Sequence, residues 1–578
     1  MDSQSSGVGF KRKKKHISNY QRAMKYSKRG KFGHGFQIQE DDFQYFLNIL
    51  KVSKEAFESD EDKCNFVDNV FKQLKGNEVN YCSNQVVSRV IDDLLPAASD
   101  ETVFNLIEQF EKDLRPICCD QFASHVLQQL LHNATYRAFK NVTKEVSEST
   151  KENYLHFINK LCKFILNNLE EFVWDTYANH IVRSCMACLC GEPYLSSKNS
   201  HQKGEKVDTN KELKNLLKKY ADNLISVQQF SEMPKTDITS GLLQVLLKCI
   251  APVSKKRYKA LVDKLMSVTF SKNESSSENI LNVLENSSFA RLLDVIISES
   301  SEKFNKSLYS TYFMNKLGDL AVHRNGNFTI QKLLLKTTDT IQFESMFDQL
   351  KEKIPQLINL GYTGVLLELS NVCLRLKSKQ ALFFKTLCES LKCKEETEDG
   401  ITVLLILSLK VNENYDNSCN EPPINIHGSM IVQNLLKFNK PIKIINNLIN
   451  LNSERLVYIL CDVKGSYIAN AYFESEFIGE RSREKMIWKL KDYYTTLAKS
   501  KSGSRAFDCI WKVADSKQHL MIMTEFLRHE SDLTSTQFGS IISNKLNLGL
   551  FRHQKDEWLK ADQNKLKTLK VFEINKYC

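Results

Sequence analysis

The sequence predicts an all-α protein, a superhelix of stacked helical repeats behind a basic, disordered N-terminal tail. Three observations predict it. Only 20 Gly and 9 Pro are spread over 578 residues, and so few breakers favour long helices over many-turned sheet. A helical phrase returns down the chain: a small residue, a polar one, a ring or variable one, two apolars and a second polar. Its spacing is near 37 residues, a period at which one helical unit stacks on the next because it cannot bury its apolar face alone.

The tail is read from charge. The net charge is +11. Ten Lys or Arg fall between Lys11 and Lys31, opening with Lys11, Arg12, Lys13, Lys14 and Lys15, and Asp2 is the only acid before Phe36. Without that stretch 70 basic residues face 68 acidic ones, so the positive charge is essentially a tail. Such a tail is expected to be a nuclear or nucleolar address or a non-specific nucleic-acid arm. The N-terminus lacks the apolar core of a signal peptide. No window reaches the roughly 18 apolar residues of a membrane helix. The 16 cysteines are therefore expected to be reduced, mostly buried thiols of an intracellular protein that does not enter a membrane.

After the tail, 41–74 reads as amphipathic helix, with Phe43, Phe46, Leu47 and Leu50 on one face. The first copy of the phrase is Asn84/Gln85/Ser88. Next come Ser124/His125/Gln128, Asn179/His180/Arg183 and Ser240/Gly241/Gln244, then Ala290/Arg291/Asp294 and Asn327/Phe328/Gln331. Thr363/Gly364/Leu367 is a degraded seventh. Ser429/Met430/Gln433, Ser466/Tyr467/Asn470, Ser504/Arg505/Asp508 and Ser540/Ile541/Asn544 complete the series. The steps Ala290 to Asn327 to Thr363 are 37 and 36 residues, and those from Ser429 through Ser466 and Ser504 to Ser540 are 37, 38 and 36. Longer steps coincide with polar stretches at 196–210, 271–279 and 412–425, expected to be surface loops. The expected division is a tail at 1–40, an N-terminal array at 41–345 and a C-terminal array at 346–578.

The sixth copy shows the chemistry best. On a helix, Asn327 and Gln331 lie one above the other, Phe328 sits beside them, and Ile330, Leu333 and Leu334 turn to the core. Two amides can hydrogen-bond the edge of a flat polar object while the ring stacks on its face, and an unpaired base is such an object. One polar pair at this spacing is common on a solvated helix face. Eleven in phase are not.

The polar–ring–polar triplet resembles the base-reading helix of Pumilio (Puf) repeats. That resemblance implies about eleven three-helix repeats in a strongly curved array, one base read per repeat, with the middle residue stacking. It implies uracil for Asn327/Phe328/Gln331 and adenine for Ser124/His125/Gln128 and Ser429/Met430/Gln433. Ser240/Gln244 makes the same pair without a stacking group, and Ser504/Arg505/Asp508 is guanine-like with a shortened acid. Arg183 suits a phosphate better than a base edge, Ala290 lacks the first polar group beside Arg291, and Thr363/Gly364/Leu367 has no base-reading set. A few readers among many plain repeats suit a partly structured RNA better than a regular linear target.

Flanking phrases narrow the resemblance. Asn325-Gly326-Asn327-Phe328-Thr329-Ile330-Gln331, His427-Gly428-Ser429-Met430-Ile431-Val432-Gln433 and Lys464-Gly465-Ser466 are similar to the nucleolar protein nine family of Pumilio-like ribosome-assembly factors. The basic opening and the late Trp558 fit it too. The family implies a nucleolar, monomeric RNA-binding protein that occupies precursor rRNA near the 3′ end of 18S. There it supports small-subunit rRNA processing, restrains premature cleavage and works beside pre-ribosomal assembly factors. Another Pumilio-type mRNA regulator and a HEAT-like protein–protein scaffold are the competing expectations.

Cys185, Cys188 and Cys190 have metal-like spacing but lie in an apolar helical run, so buried thiols are expected and no metal or cofactor. With no phosphate loop, HExxH or nucleophile elbow, an enzyme is not expected.

Overall fold

The computed structural model describes residues 32–52, 57, 59–139, 148–192, 206–270, 276–393, 400–415, 421 and 423–574. The tail residues Lys11 to Lys15 lie outside these, as do much of the 196–210 stretch and parts of the other two polar stretches. Among the described residues there is no strand, and one isolated bridge pairs Gly35 with Asn84. No described helix is long and apolar enough to cross a membrane. The chain divides into two compact units, 1–272 and 273–578.

Every copy of the phrase starts or lies in a helix. These are α1 (Gln85–Leu94), α2 (Ala123–Phe139), α3 (Ala178–Leu189), α4 (Asp237–Val253), α5 (Ser287–Glu299), α6 (Gly326–Lys336), α7 (Thr363–Leu376), α8 (Ile426–Leu435), α9 (Tyr467–Glu474), α10 (Gly503–Val513) and α11 (Gln537–Lys545). Each stands between two companions, a short helix before and a further helix after. Leu317–Ala321 and Thr340–Leu350 flank α6, and Tyr494–Lys499 and Ser516–Arg528 flank α10. In the first unit α1 packs on α2, α2 on α3 and α3 on α4; in the second, α5 through α11 each pack on the next. The phrase helices thus form one continuous layer within each unit, the arrangement expected of units that share a core only with neighbours.

A glycine stands before five of the triplets and explains how tightly those helices are seated. A Cβ added at Gly326 would stand 2.5 Å from the Leu320 carbonyl oxygen, and one at Gly503 2.6 Å from that of Leu497. At Gly428, Gly465 and Gly539 it would press still closer on the carbonyls of Ile406 and Leu407, of Ile459 and of Leu533. In each case the carbonyl belongs to the C-terminal end of the preceding short helix. Backbone meets backbone there, so only a residue without a side chain fits. Ala123 and Ala178, the first residues of α2 and α3, precede their triplets and are fully buried.

The apolar positions behave as the 3.6-residue period requires. Ile330, Leu333 and Leu334 of α6 are buried, as are Phe43, Phe46, Leu47 and Leu50 in the helix Glu40–Val52. A second helix, Asp60–Lys72, follows within the stretch expected to be helical. The segment 271–279, expected to be a loop, is helical from Ser276 onward. Cys185, Cys188 and Cys190 are buried free thiols, and burial pushes the first two well above the usual thiol range.

Both ends are tied down. Asn84 donates to the carbonyls of Phe32 (2.9 Å) and Phe36 (2.8 Å), and Gln85 N–H donates to His34 O (2.9 Å). Residues 32–36, assigned to the tail by composition, are therefore pinned to α1. At the other end Trp558 donates to Leu546 O at 2.8 Å. In the same region His519 stacks on Trp511 at 3.8 Å between ring centroids and meets the Asp562 carboxylate at 2.8 Å. His519 and Asp562 are both buried.

Two stability outcomes follow. Gly465→Ala should lower the urea midpoint by an amount equivalent to about 1–3 kcal/mol, the usual cost of overfilling a close contact, while Gly479→Ala, which meets nothing within 4 Å, should leave it unchanged. Asp562→Ala strands a buried His519 nitrogen at a cost of about 1–3 kcal/mol. Amide exchange should therefore quicken through the final helix, Lys555–Ile574, and stay slow in α5 to α7.

Candidate nucleic-acid interface

Within each triplet the three positions have distinct environments. The first residue is buried in most: Ser124, Asn179, Ser240, Asn327, Ser429 and Ser466 are all below 5% exposed, while Ser504 and Ser540 are half-buried. The second faces outward. Phe328 is 56% and Tyr467 49% exposed, and His125, His180, Arg291, Met430 and Arg505 are exposed as well. Consecutive helical residues are turned by about 100°, so a buried first residue places its neighbour at the rim. Successive packing of the phrase helices then sets one projecting side chain beside the next within each unit. The fifth residue is half-buried at Gln128, Arg183, Gln244, Gln331, Gln433 and Asn470 and exposed at Asp508.

The first-position groups are bound to the fold itself. Asn327 Nδ2 donates to Arg324 O (2.8 Å) and His323 O (3.3 Å), and its Oδ1 accepts from Gln331 Nε2 at 3.2 Å. Ser429 Oγ donates to Lys464 O (2.7 Å) and accepts from Gln433 Nε2 (3.1 Å). Gln244 Nε2 donates to Ser240 Oγ at 3.2 Å, and Asn179 Nδ2 donates to Val173 O at 2.6 Å. The expectation of two amide edges free to meet a base beside Phe328 is thus not met: the amides bond to each other, and Gln331 keeps its Oε1 acceptor and second N–H. Asn84 offers nothing at all. Besides its two donations to the 32–36 segment, its Oδ1 accepts from Val86 N–H and Val87 N–H, so it serves as the N-cap of α1. Ser88 is buried, with its hydroxyl on Gln85 O at 3.3 Å. Asn84 and Ser88 are thus both held by the fold itself.

Fifth-position groups reach forward to the next repeat. Gln128 Nε2 donates to His180 O (2.9 Å) and Ser184 Oγ (3.0 Å). Arg183 donates to Ile238 O, and burial holds its guanidinium below its ordinary pKa. Asp294 accepts from Thr329 Oγ1 at 2.7 Å; burial raises its pKa to about 6, opposed by the Thr329 hydrogen bond and by Lys332. Asp508 pairs with Lys545 at 2.7 Å. The degraded seventh repeat does the same from its first position, where Thr363 Oγ1 meets His427 Nδ1 at 2.8 Å. Inspection of single triplets missed Ser184, Thr329, His427 and Lys545. Separations of about one repeat, 35 residues for Asp294–Thr329 and 37 for Asp508–Lys545, were the available signal.

Ser504 Oγ folds back to Lys501 O at 3.0 Å while Arg505 stays exposed. Among the described residues no group of three or more His, Cys, Asp or Glu is placed to hold a metal.

The chain matches the family described as NOP9-like PUF repeat domain over residues 76–541. It is 22% identical over 557 residues to Nucleolar protein 9 of Mus musculus, covering 89% of this chain and 87% of that protein. It is also 22% identical over 572 residues to Pumilio homolog 23 of Arabidopsis thaliana, covering 93% and 74%. The solved structure of APUM23-GGAUUUGACGG superposes with a TM-score of 0.73 at 20% identity, over 91% of this chain and all of that one. Eleven seated phrase helices, three-helix repeats and a family match over most of the length agree: the chain belongs to the NOP9-like PUF repeat family.

Proposed function

We propose that this protein is a nucleolar RNA-binding factor that occupies precursor rRNA and supports small-subunit (18S) rRNA processing. The observation that carries the proposal is the row of projecting side chains, one on each phrase helix except where Gly241 and Gly364 stand, set side by side within each unit. Exposed rings and guanidinium groups at that spacing suit successive unstacked bases, because every base has a face to stack on. Half-buried Gln331 and Gln433 beside Phe328 and Met430 supply edge contacts. The relatives' names, Nucleolar protein 9 and Pumilio homolog 23, and the APUM23-GGAUUUGACGG structure support this reading.

The protein acts by occupancy. While it covers the precursor, a processing nuclease has no access, so premature cleavage is restrained without chemistry by this chain. It works as a monomer beside pre-ribosomal assembly factors, and the basic tail, Lys11 to Lys15 included, serves as its nucleolar address. The scaffold alternative predicts no RNA binding by the repeats.

The test uses single-stranded GGAUUUGACGG RNA and protein lacking residues 1–31, a cut placed before the pinned segment at 32–36. Tail-deleted protein should bind with an affinity that falls steeply with salt. Phe328→Ala should weaken binding about tenfold or more, since base–aromatic stacking contributes on the order of 1–3 kcal/mol. Absence of binding by the tail-deleted protein would overturn the proposal in favour of charge in the tail or a protein partner.

A further inference from the structure

Two triplets, the fourth and the seventh, carry glycine where the others project a side chain: Gly241 in α4 and Gly364 in α7. Glycine inside a helix is less favourable than alanine, so both places call for a physical reason. Neither glycine is at a left-handed φ. The reason is what lies over them. A Cβ at Gly364 would stand 2.6 Å from Gln331 Oε1 and 2.7 Å from its Cδ and Nε2. A Cβ at Gly241 would stand 2.9 Å from Arg183 Cζ and from both terminal guanidinium nitrogens. In both cases the nearest atoms are the flat polar end of the fifth-position side chain of the preceding triplet. Both glycines are therefore covered in the same way, in different units, by groups of different charge.

We propose that Gly241 and Gly364 are positioning residues: each bare Cα is the floor on which the preceding triplet's fifth-position group rests. This deepens the proposed function and rests on it. Gln331 is held from two sides, by its hydrogen bond to Asn327 Oδ1 and by the α7 backbone at Gly364. Its Oε1 and second N–H are thereby held in place, three residues on from the exposed Phe328 of the same helix. Arg183 is held on Gly241 by its hydrogen bond to Ile238 O, which presents a cation suited to a phosphate or to stacking. The α6/α7 pair then offers one base-edge reader rather than two, and the α3/α4 pair one cationic contact. The glycine repeats set the accuracy of their neighbours. They bind no base of their own.

The proposal makes stability and recognition move apart. The nearest obstacle to a methyl at residue 364 is the end of a flexible side chain, so Gly364→Ala should shift Gln331 without breaking the helix and leave the melting temperature equal or higher. The same variant should lose discrimination between GGAUUUGACGG and one of its three single U→C variants about tenfold. Gln331→Ala should lose discrimination at that same uridine, and Gly364→Ala added to it should cost nothing further. Gly241→Ala should reduce affinity evenly across those RNAs and flatten the salt dependence, matching Arg183→Ala. If Gln331→Ala loses discrimination and Gly364→Ala keeps it, the positioning role is wrong and the base-reading proposal stands. If Gly364→Ala melts several degrees lower, the glycine is a packing residue and the inference fails. If neither Phe328→Ala nor Gln331→Ala affects any of these RNAs, the base-reading proposal fails and takes this one with it.

Discussion

The structure depends on a backbone contact. At Gly326, Gly428, Gly465, Gly503 and Gly539 the start of a phrase helix lies against the last carbonyls of the short helix before it, closer than any Cβ permits. That approach fixes the rotation of each phrase helix about its own axis. After Gly326, Gly428 and Gly465 the next residue is buried and the one after it projects, as Asn327 at 2% and Phe328 at 56% exposed show, while Ser504 and Ser540 after Gly503 and Gly539 are half-buried. The glycine is thus the origin of the triplet geometry, though it carries no functional group.

A second consequence runs along the chain. The buried first-position group cannot stay unsatisfied, since an unpaired buried polar atom costs on the order of 1–3 kcal/mol. It is met by nearby backbone, as Ser429 is by Lys464 O, and by the glutamine one turn on. Fifth-position groups then bond forward, Gln128 to α3 and Asp294 to Thr329 of α6. Residues that look like surface readers in sequence therefore also join one repeat to the next. On the proposed reading, recognition is built on side chains already held in place, which lowers the ordering cost of binding.

Some features were plain in the residues. The helical repeat, its period and the buried faces follow from local periodicity, and Ile330, Leu333 and Leu334 are where the 3.6-residue pattern puts them. Cys185, Cys188 and Cys190 were readable as thiols of an apolar helix. Other assignments needed the fold. Asn84 has the residue type and phase of a reader, yet its four hydrogen bonds cap α1 and hold 32–36. Gly364 looked like decay of the pattern and proves to be covered by Gln331.

By itself the sequence determined the class of architecture, the register of the eleven phrases and the apolar face of each phrase helix. All three follow from spacing within a single helix, where neighbours in sequence are neighbours in space. Only the tertiary structure decided which polar groups remain available, because that depends on partners 35 to 64 residues away, such as Thr329 for Asp294 and His427 for Thr363. Hydrogen-bond capacity is used up by whichever group arrives first in space, and separation along the chain does not reveal which that is.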